Sequence, residues 1–227
     1  MISVWKPLAF AVLLAFSGTV FAASEEALER NSIGVGLLEQ GNADAAITQF
    51  QRAIGLDSKY FPARLNLAYA YERAGRVDEA VAAYGEAIHL EPGSFFARNN
   101  LGVLYDKRGQ YDLAIVELET ALKIEPGNAM ALKNLETAQK NQTAIKAREA
   151  QILQAERAAQ AKPNDPQASY NLARLYAFYG KKDLAYEWLA KALKQGYKDI
   201  SYLRSDPALH GIRDERDFQL LLRPHSP

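Results

Sequence analysis

The feature that most constrains this chain is an internal repeat. Phe61-Pro-Ala-Arg-Leu-Asn-Leu-Ala-Tyr-Ala-Tyr71 returns as Phe95-Phe-Ala-Arg-Asn-Asn-Leu-Gly-Val-Leu-Tyr105, an offset of 34. The same offset carries Gly75 to Gly109, Ala80 to Ala114, Ala87 to Ala121 and Pro92 to Pro126. A fixed period of this length marks stacked supersecondary units, each too small to bury its apolar face alone. Each unit reads as two helices. The first spans about 61–74 and ends at Gly75, a residue suited to a left-handed C-cap; the second spans about 77–90 and is stopped by Pro92. An upstream unit over 27–60 keeps Ile33-Gly34, Leu37, Gly41, Ala46, Phe50 and Ala53 in register, with Ser58 where the others have Pro. The expected fold class is all-α, a solenoid of helix-turn-helix repeats.

Leu67-Ala68, Tyr71, Gly75, Ala80, Tyr84, Ala87 and Pro92 resemble the pattern of the tetratricopeptide repeat family. Leu101-Gly102, Tyr105, Gly109, Ala114, Leu118, Ala121 and Pro126 repeat that resemblance, and a later unit from Pro166 carries Leu172-Ala173, Tyr176, Gly180, Ala185, Leu189 and Ala192. The first-helix Trp of the family is absent, with Arg64 and Arg98 in its place. The resemblance implies a right-handed superhelix whose first helices line a concave face. Gly and Ala columns let two helices approach closely, and Tyr, Phe and Leu columns fill the holes between neighbouring pairs.

The unit beginning at Ala129 starts in register with Asn134-Leu135 and then departs. Glu136 replaces the small residue, Gln139 the aromatic, and no Gly comes where the turn is due. From Ala129 to Ala161 nothing breaks a helix, so one helix of roughly 45–50 Å is expected. Ala138, Ile145, Ile152 and Ala159 recur every seven residues, a thin seam of coiled-coil type. Two readings stand: a repeat that has lost its turn and become a connecting helix, or a dimer-forming coiled coil. After Lys162-Pro163-Asn164-Asp165-Pro166 comes the last repeat. The tail that follows resembles one found after the final repeat of many bacterial members of the family. Its Leu203, Leu209, Ile212, Phe218 and Leu221 are expected to cap the open end of the array. The expected organisation is therefore a targeting segment over 1–22, three repeats over 23–128, a degenerate repeat or connecting helix over 129–163, and a repeat plus cap over 164–227.

The N-terminal segment has Lys6 as its only charge before Glu25, an apolar run from Pro7 to Phe16, a break at Ser17-Gly18-Thr19, and Val20-Phe21-Ala22. That is the layout of a cleavable export signal, cut after Ala22 or Ala23. The apolar run is short of the roughly 20 residues that span a bilayer. The expected location is periplasmic or secreted, with no membrane insertion after cleavage.

Catalytic chemistry has little to work with. The chain has no Cys and only three His, the separated His89, His210 and His225. Thiolate catalysis, disulfides and cysteine metal sites are excluded. Twenty-seven basic residues balance 27 acidic ones, which argues against a nucleic-acid partner. No phosphate-binding Gly-rich loop or nucleophile elbow is present. No enzyme activity, cofactor or metal is expected.

One polar column remains. Asn66, Asn100 and Asn134 recur at 34-residue spacing, and Asn171 holds the same place in the last unit. Family resemblance places this column on the concave face, where an amide both donates to and accepts from an extended peptide backbone. Leu65, Tyr69, Arg73, Phe96, Asn99, Val103, Lys107 and Lys133 are expected to share that face. A subclass of the family clamps a chaperone's terminal carboxylate with Lys and Asn in the first repeat; Asn31 and Val35 stand at those places here, so that clamp is not expected. The functional expectation is a non-enzymatic scaffold holding a protein or peptide partner in the bacterial cell envelope. Candidate settings are secretion, pilus, polysaccharide export or cell division. The alternative is an oligomerisation module working through 129–161, with the oligomeric state left open.

Overall fold

The structure is a computed structural model that describes residues 24–225. The expected export signal lies outside the described residues. Every regular element among those residues is helical. The chain forms two compact units, one ending at Gln142 and one beginning at Thr143.

The first unit holds three helix pairs: α1 (Glu25–Glu39) with α2 (Ala43–Leu56), α3 (Phe61–Arg73) with α4 (Val77–Leu90), and α5 (Phe95–Lys107) with α6 (Tyr111–Ile124). The beginning of α7 (Ala129–Ala161) follows as a further first helix. Starts are written locally. Ser24, Asn42 and Ser94 each accept a bond from the backbone N–H three residues on, satisfying a donor that the first turn leaves unpaired. Ends are written by Gly41, Gly75 and Gly109, with φ of 80°, 74° and 72°. The residue after each glycine donates back five positions, as Arg76 N does to Tyr71 O at 2.9 Å.

The next turn glycine is due at position 143, where Thr143 stands. A β-branched residue is strongly disfavoured at positive φ, so the helix runs on through it as α7. The boundary between the two units falls at this missing turn. The long helix expected over 129–163 runs from Ala129 to Ala161, and the two units share it. Its first half packs as a first helix of the first unit: Ala131 joins Phe95 and Ala121, and Ala138 joins Ala114 and Leu118.

Inside each pair the glycine and alanine columns do the close packing. A Cβ on Gly102 would lie 2.6 Å from Leu118 Cγ, and one on Gly34 would lie 2.5 Å from the Phe50 ring. Arg64 and Arg98 replace the missing aromatic with polar bonds. Each reaches back to a loop carbonyl, Ser58 O or Pro92 O at 3.0 Å, and across to its own second helix, Arg64 to Glu86 and Arg98 to Glu117.

The second unit comprises the rest of α7, α8 (Pro166–Phe178), α9 (Lys182–Lys194) and a cap. The cap consists of α10 (Ile200–Ser205), a 3-10 turn over Pro207–Leu209, α11 (His210–Arg213) and α12 (Arg216–Leu222). Leu203, Leu209, Ile212 and Phe218 are buried against α8 and α9 as expected. Leu222, rather than Leu221, completes that face; Leu221 is only partly buried.

One carboxylate ties the cap down. Asp206 is fully buried and accepts from Tyr170 Oη and Arg174 Nε, both at 2.5 Å, and from the Ala208 N–H. Burial by itself would raise its pKa; the Tyr170 hydroxyl, the Ala208 N–H and the Arg174 guanidinium outweigh that and hold it below the ordinary value.

The seam expected for a coiled coil is used up inside the chain. Ala138 is buried in the first unit, Ile152 and Ala159 in the second, and Ile145 is half-buried. A helix flanked by packed neighbours buries its apolar stripe against them, and the heptad spacing follows from that burial.

Candidate functional site

In the first unit the first helices α1, α3, α5 and α7 lie side by side, joined by side-chain bonds between residues 35 apart. Asn66 Nδ2 donates to Asn31 Oδ1 at 2.9 Å and Asn134 Nδ2 to Asn99 Oδ1 at 3.0 Å. Lys107 Nζ donates to Glu72 Oε1 at 3.0 Å, and Asn141 Nδ2 to Asp106 Oδ1 at 2.9 Å. An offset of 35 rather than 34 places each residue against its neighbour's preceding column.

That register explains why the Asn column is not uniform. The residues before it are Asn31, Leu65, Asn99 and Lys133. Where the preceding helix presents Asn, the next Asn donates to it. Where it presents Leu65, Asn100 finds no acceptor and donates instead to Tyr84 Oη at 3.2 Å. A continuous relay results: Asn134 donates to Asn99, Asn99 to Asn100 at 3.1 Å, Asn100 to Tyr84, and Tyr84 to Glu72 at 3.4 Å, with Lys107 on the other oxygen of Glu72. Burial first, and Glu72 second, push the Tyr84 pKa well up, so the hydroxyl stays a donor.

Four expectations change. The amides of Asn66, Asn100 and Asn134 are not open donors; each already joins two helices. Asn99 is 1% exposed and serves as the relay's interior link, because it faces Asn134 across a helix contact. Phe96 is partly buried against Phe95, ring centroids 5.4 Å apart, in a small cluster with Ala121, Ala131 and Met130. It fills space between α5, α6 and α7. Asn171 lies in the second unit, exposed, accepting from Gln167 of its own helix at 3.0 Å. The relay could not be read from the sequence, although alternation of Asn and Leu in the preceding column was a signal for it.

The remaining candidates form stripes on successive helices at helical spacing. Asn66, Tyr69 and Arg73 share a face of α3; Asn100, Val103 and Lys107 share the matching face of α5. Arg73 is exposed, donates to Tyr69 Oη at 3.2 Å and stands 5.9 Å from its ring centre. The Tyr69 hydroxyl is the main reason the Arg73 pKa sits above its ordinary value. Lys107 is 57% exposed despite its bond to Glu72, and Lys133 is exposed on α7. Leu65 and Val103 are half-buried beside them. The surface thus offers three cations, a tyrosine ring, apolar floor and the Oδ1 atoms of Asn66 and Asn134, which accept from no described side chain.

His89 and His210 are both exposed. Among the described residues no group of three or more His, Asp and Glu is arranged to hold a metal ion, and no helix is long and apolar enough to cross a membrane.

Comparison with known proteins agrees with this geometry. The tetratricopeptide repeat model matches residues 32–95 and again 65–129. A stretch of 56 residues is 41% identical to a chloroplastic protein of Arabidopsis thaliana; it is 25% of this chain and only 17% of that protein. Among solved structures, the second TPR domain of human RPAP3, in complex with HSP70 peptide SGPTIEEVD, is similar at a TM-score of 0.50 and 26% identity, over 52% of this chain and 98% of that one. MamA from Desulfovibrio magneticus RS-1 is similar in fold at a TM-score of 0.52 and 20% identity, over 77% of this chain and 97% of that one. With its glycine turns, small-residue columns and paired helices, the segment 32–129 is similar to the tetratricopeptide repeat family.

Proposed function

We propose that this chain is a protein-binding scaffold rather than an enzyme, and that its ligand surface is the layer of first helices in the first unit. The observation that carries the reading is the set of exposed groups on that layer. Arg73, Lys107 and Lys133 stand beside half-buried Leu65 and Val103, on helices that the hydrogen-bonded relay and its neighbours join. Such a surface suits an extended protein segment with acidic or carbonyl groups, held on a preorganised platform. The human RPAP3 domain, seen with an HSP70 peptide, supports a peptide as the ligand type. The place of action proposed is the bacterial envelope, reached through the segment before Ala23, with assembly of an envelope machine as the setting.

The test uses the partner recovered from envelope extracts with the purified protein as bait. Binding is then measured by calorimetry for Arg73→Glu with Lys133→Glu, both on the proposed surface, and for Lys123→Glu on α6 as control. These positions are exposed, so stability changes by about 0.5 kcal/mol or less. Affinity falling in the first variant alone supports the surface. Equal affinity in both would place the partner elsewhere and sink the reading.

A further inference from the structure

The second unit contains an open groove of about 630 Å3 between the second half of α7 and α8. Its floor is Ala155, Ala158, Ala161 and Leu175, with Gln151 and Asn171 on its walls. The repeat geometry says what such a groove is for.

In the first unit, Gln51 of α2 donates to Tyr71 of α3, twenty residues on. In the second unit, Glu156 of α7 meets Tyr176 of α8, also twenty residues on, at 2.5 Å. The second half of α7 therefore stands to α8 as α2 stands to α3. On this equivalence Gln151, Ala155 and Ala158 take the places of Ala46, Phe50 and Ala53, and Asn171 that of Asn66. In the first unit Ala46, Phe50 and Ala53 are fully buried, Phe50 lies against Gly34 of α1, and Asn66 bonds Asn31 of α1. The groove is thus the seat of a first helix, open because α7 continues as one helix where a turn would have ended it.

The chain also carries the matching half. Residues 129–142 pack as a first helix on α5 and α6, but the side that would meet a second helix is left open to solvent. Leu132 stands where Arg98 pairs with Glu117, and it is 48% exposed; Glu136 stands where Gly102 touches Leu118, and it too is exposed. The sizes are exchanged between the two surfaces. Ala155 replaces the large Phe50, Tyr84 or Leu118 of other second helices, and Glu136 replaces the small Gly34, Ala68 or Gly102 of other first helices.

From this juxtaposition we propose that two copies of the chain pair through antiparallel α7 helices, residues 129–142 of each lying in the groove of the other. Leu132 meets Ala158, and Glu136 lies over Ala155. Both contacts place a two-fold axis beside Ile145, where exposed Ala144 and Ala147 permit close approach. Each copy gives one helix and receives one, so the exchange closes at two chains, as in a domain swap. The contact is distinct from the heptad seam, whose Ala138, Ile152 and Ala159 are buried within the chain. Of the ligand surface proposed above it shares Lys133, which lies in the inserted segment, while Arg73 and Lys107 lie on other helices.

The chain has no cysteine, so introduced ones are unique. Leu132→Cys protein and Ala158→Cys protein are purified separately, mixed and oxidised. A disulfide-linked pair in the mixture, and none in either protein alone, is expected. Sedimentation equilibrium of the unmodified protein should give twice the 25.2 kDa chain mass or, with the signal removed, twice that of the mature chain. Ala158→Arg, at an exposed helical position, should give a single chain with an unchanged melting curve. A single-chain mass for the unmodified protein at its highest soluble concentration overturns the proposal. So does a dimer that fails to cross-link between positions 132 and 158, which would place its interface elsewhere.

Discussion

Replacing Gly102 by Ala tests the packing of the repeat directly, because two opposing effects can be weighed from the structure. Gly102 lies inside α5, where Ala is a better helix former by about 1 kcal/mol. The added methyl would sit 2.6 Å from Leu118 Cγ and 3.1 Å from the Ala114 carbonyl oxygen. Leu118 is fully buried and the carbonyl belongs to the α6 backbone, so neither yields cheaply. Overpacking of this kind costs roughly 1–3 kcal/mol, leaving a net loss of up to about 2 kcal/mol once the helix gain is offset. Gly85 is the internal control. It lies inside α4, and a methyl there meets nothing within 4 Å. Gly85→Ala should therefore stabilise by up to about 1 kcal/mol. Urea titration followed by far-UV circular dichroism would show the two midpoints moving in opposite directions. Combining Gly102→Ala with Leu118→Val should recover part of the loss, since contacting sites couple. Stabilisation by Gly102→Ala, or equal shifts for the two variants, would refute the claim that this column sets the helix separation.

Further outcomes follow from the cap and the leader. Asp206→Ala leaves Tyr170 and Arg174 without their partner and should cost about 2–4 kcal/mol, read as earlier loss of the second unit in melting curves. The folded pKa of Asp206 is depressed, so its contribution is complete above its unfolded value and is lost as pH falls through the folded one. Acid unfolding should accordingly be less steep in Asp206→Asn than in the unmodified protein; identical pH profiles would show that Asp206 carries no such linkage. Fractionation of expressing cells should find a chain beginning at Ala23 or Ser24 outside the cytoplasm, and an intact N-terminus inside it would refute export.

Most of the local architecture was legible from residue order. Helix ends followed from the turn glycines and Pro92, because these act within a few residues of themselves. The absence of a turn glycine, with Glu136 and Gln139 in place of the small and aromatic residues, was enough to predict the uninterrupted helix 129–161. The 34-residue columns also marked Gly34 and Gly102 as close-contact positions, since a repeating small residue opposite a repeating large one implies interlocking. Long-range pairing was another matter. A repeat pattern names equivalent positions, but not the one-residue stagger with which neighbouring helices meet. That stagger decided that Asn66 holds Asn31, that Leu65 turns Asn100 to Tyr84, and that Asn99 is interior rather than a ligand contact. The periodic seam of α7 had the same ambiguity, because heptad spacing records which side of a helix is buried and not whose surface buries it. Only the packed structure showed α7 serving two units in turn. Asp206 likewise carries no mark in the sequence. Its role comes from Tyr170 and Arg174, more than thirty residues away, brought to it by the folding of the cap over α8.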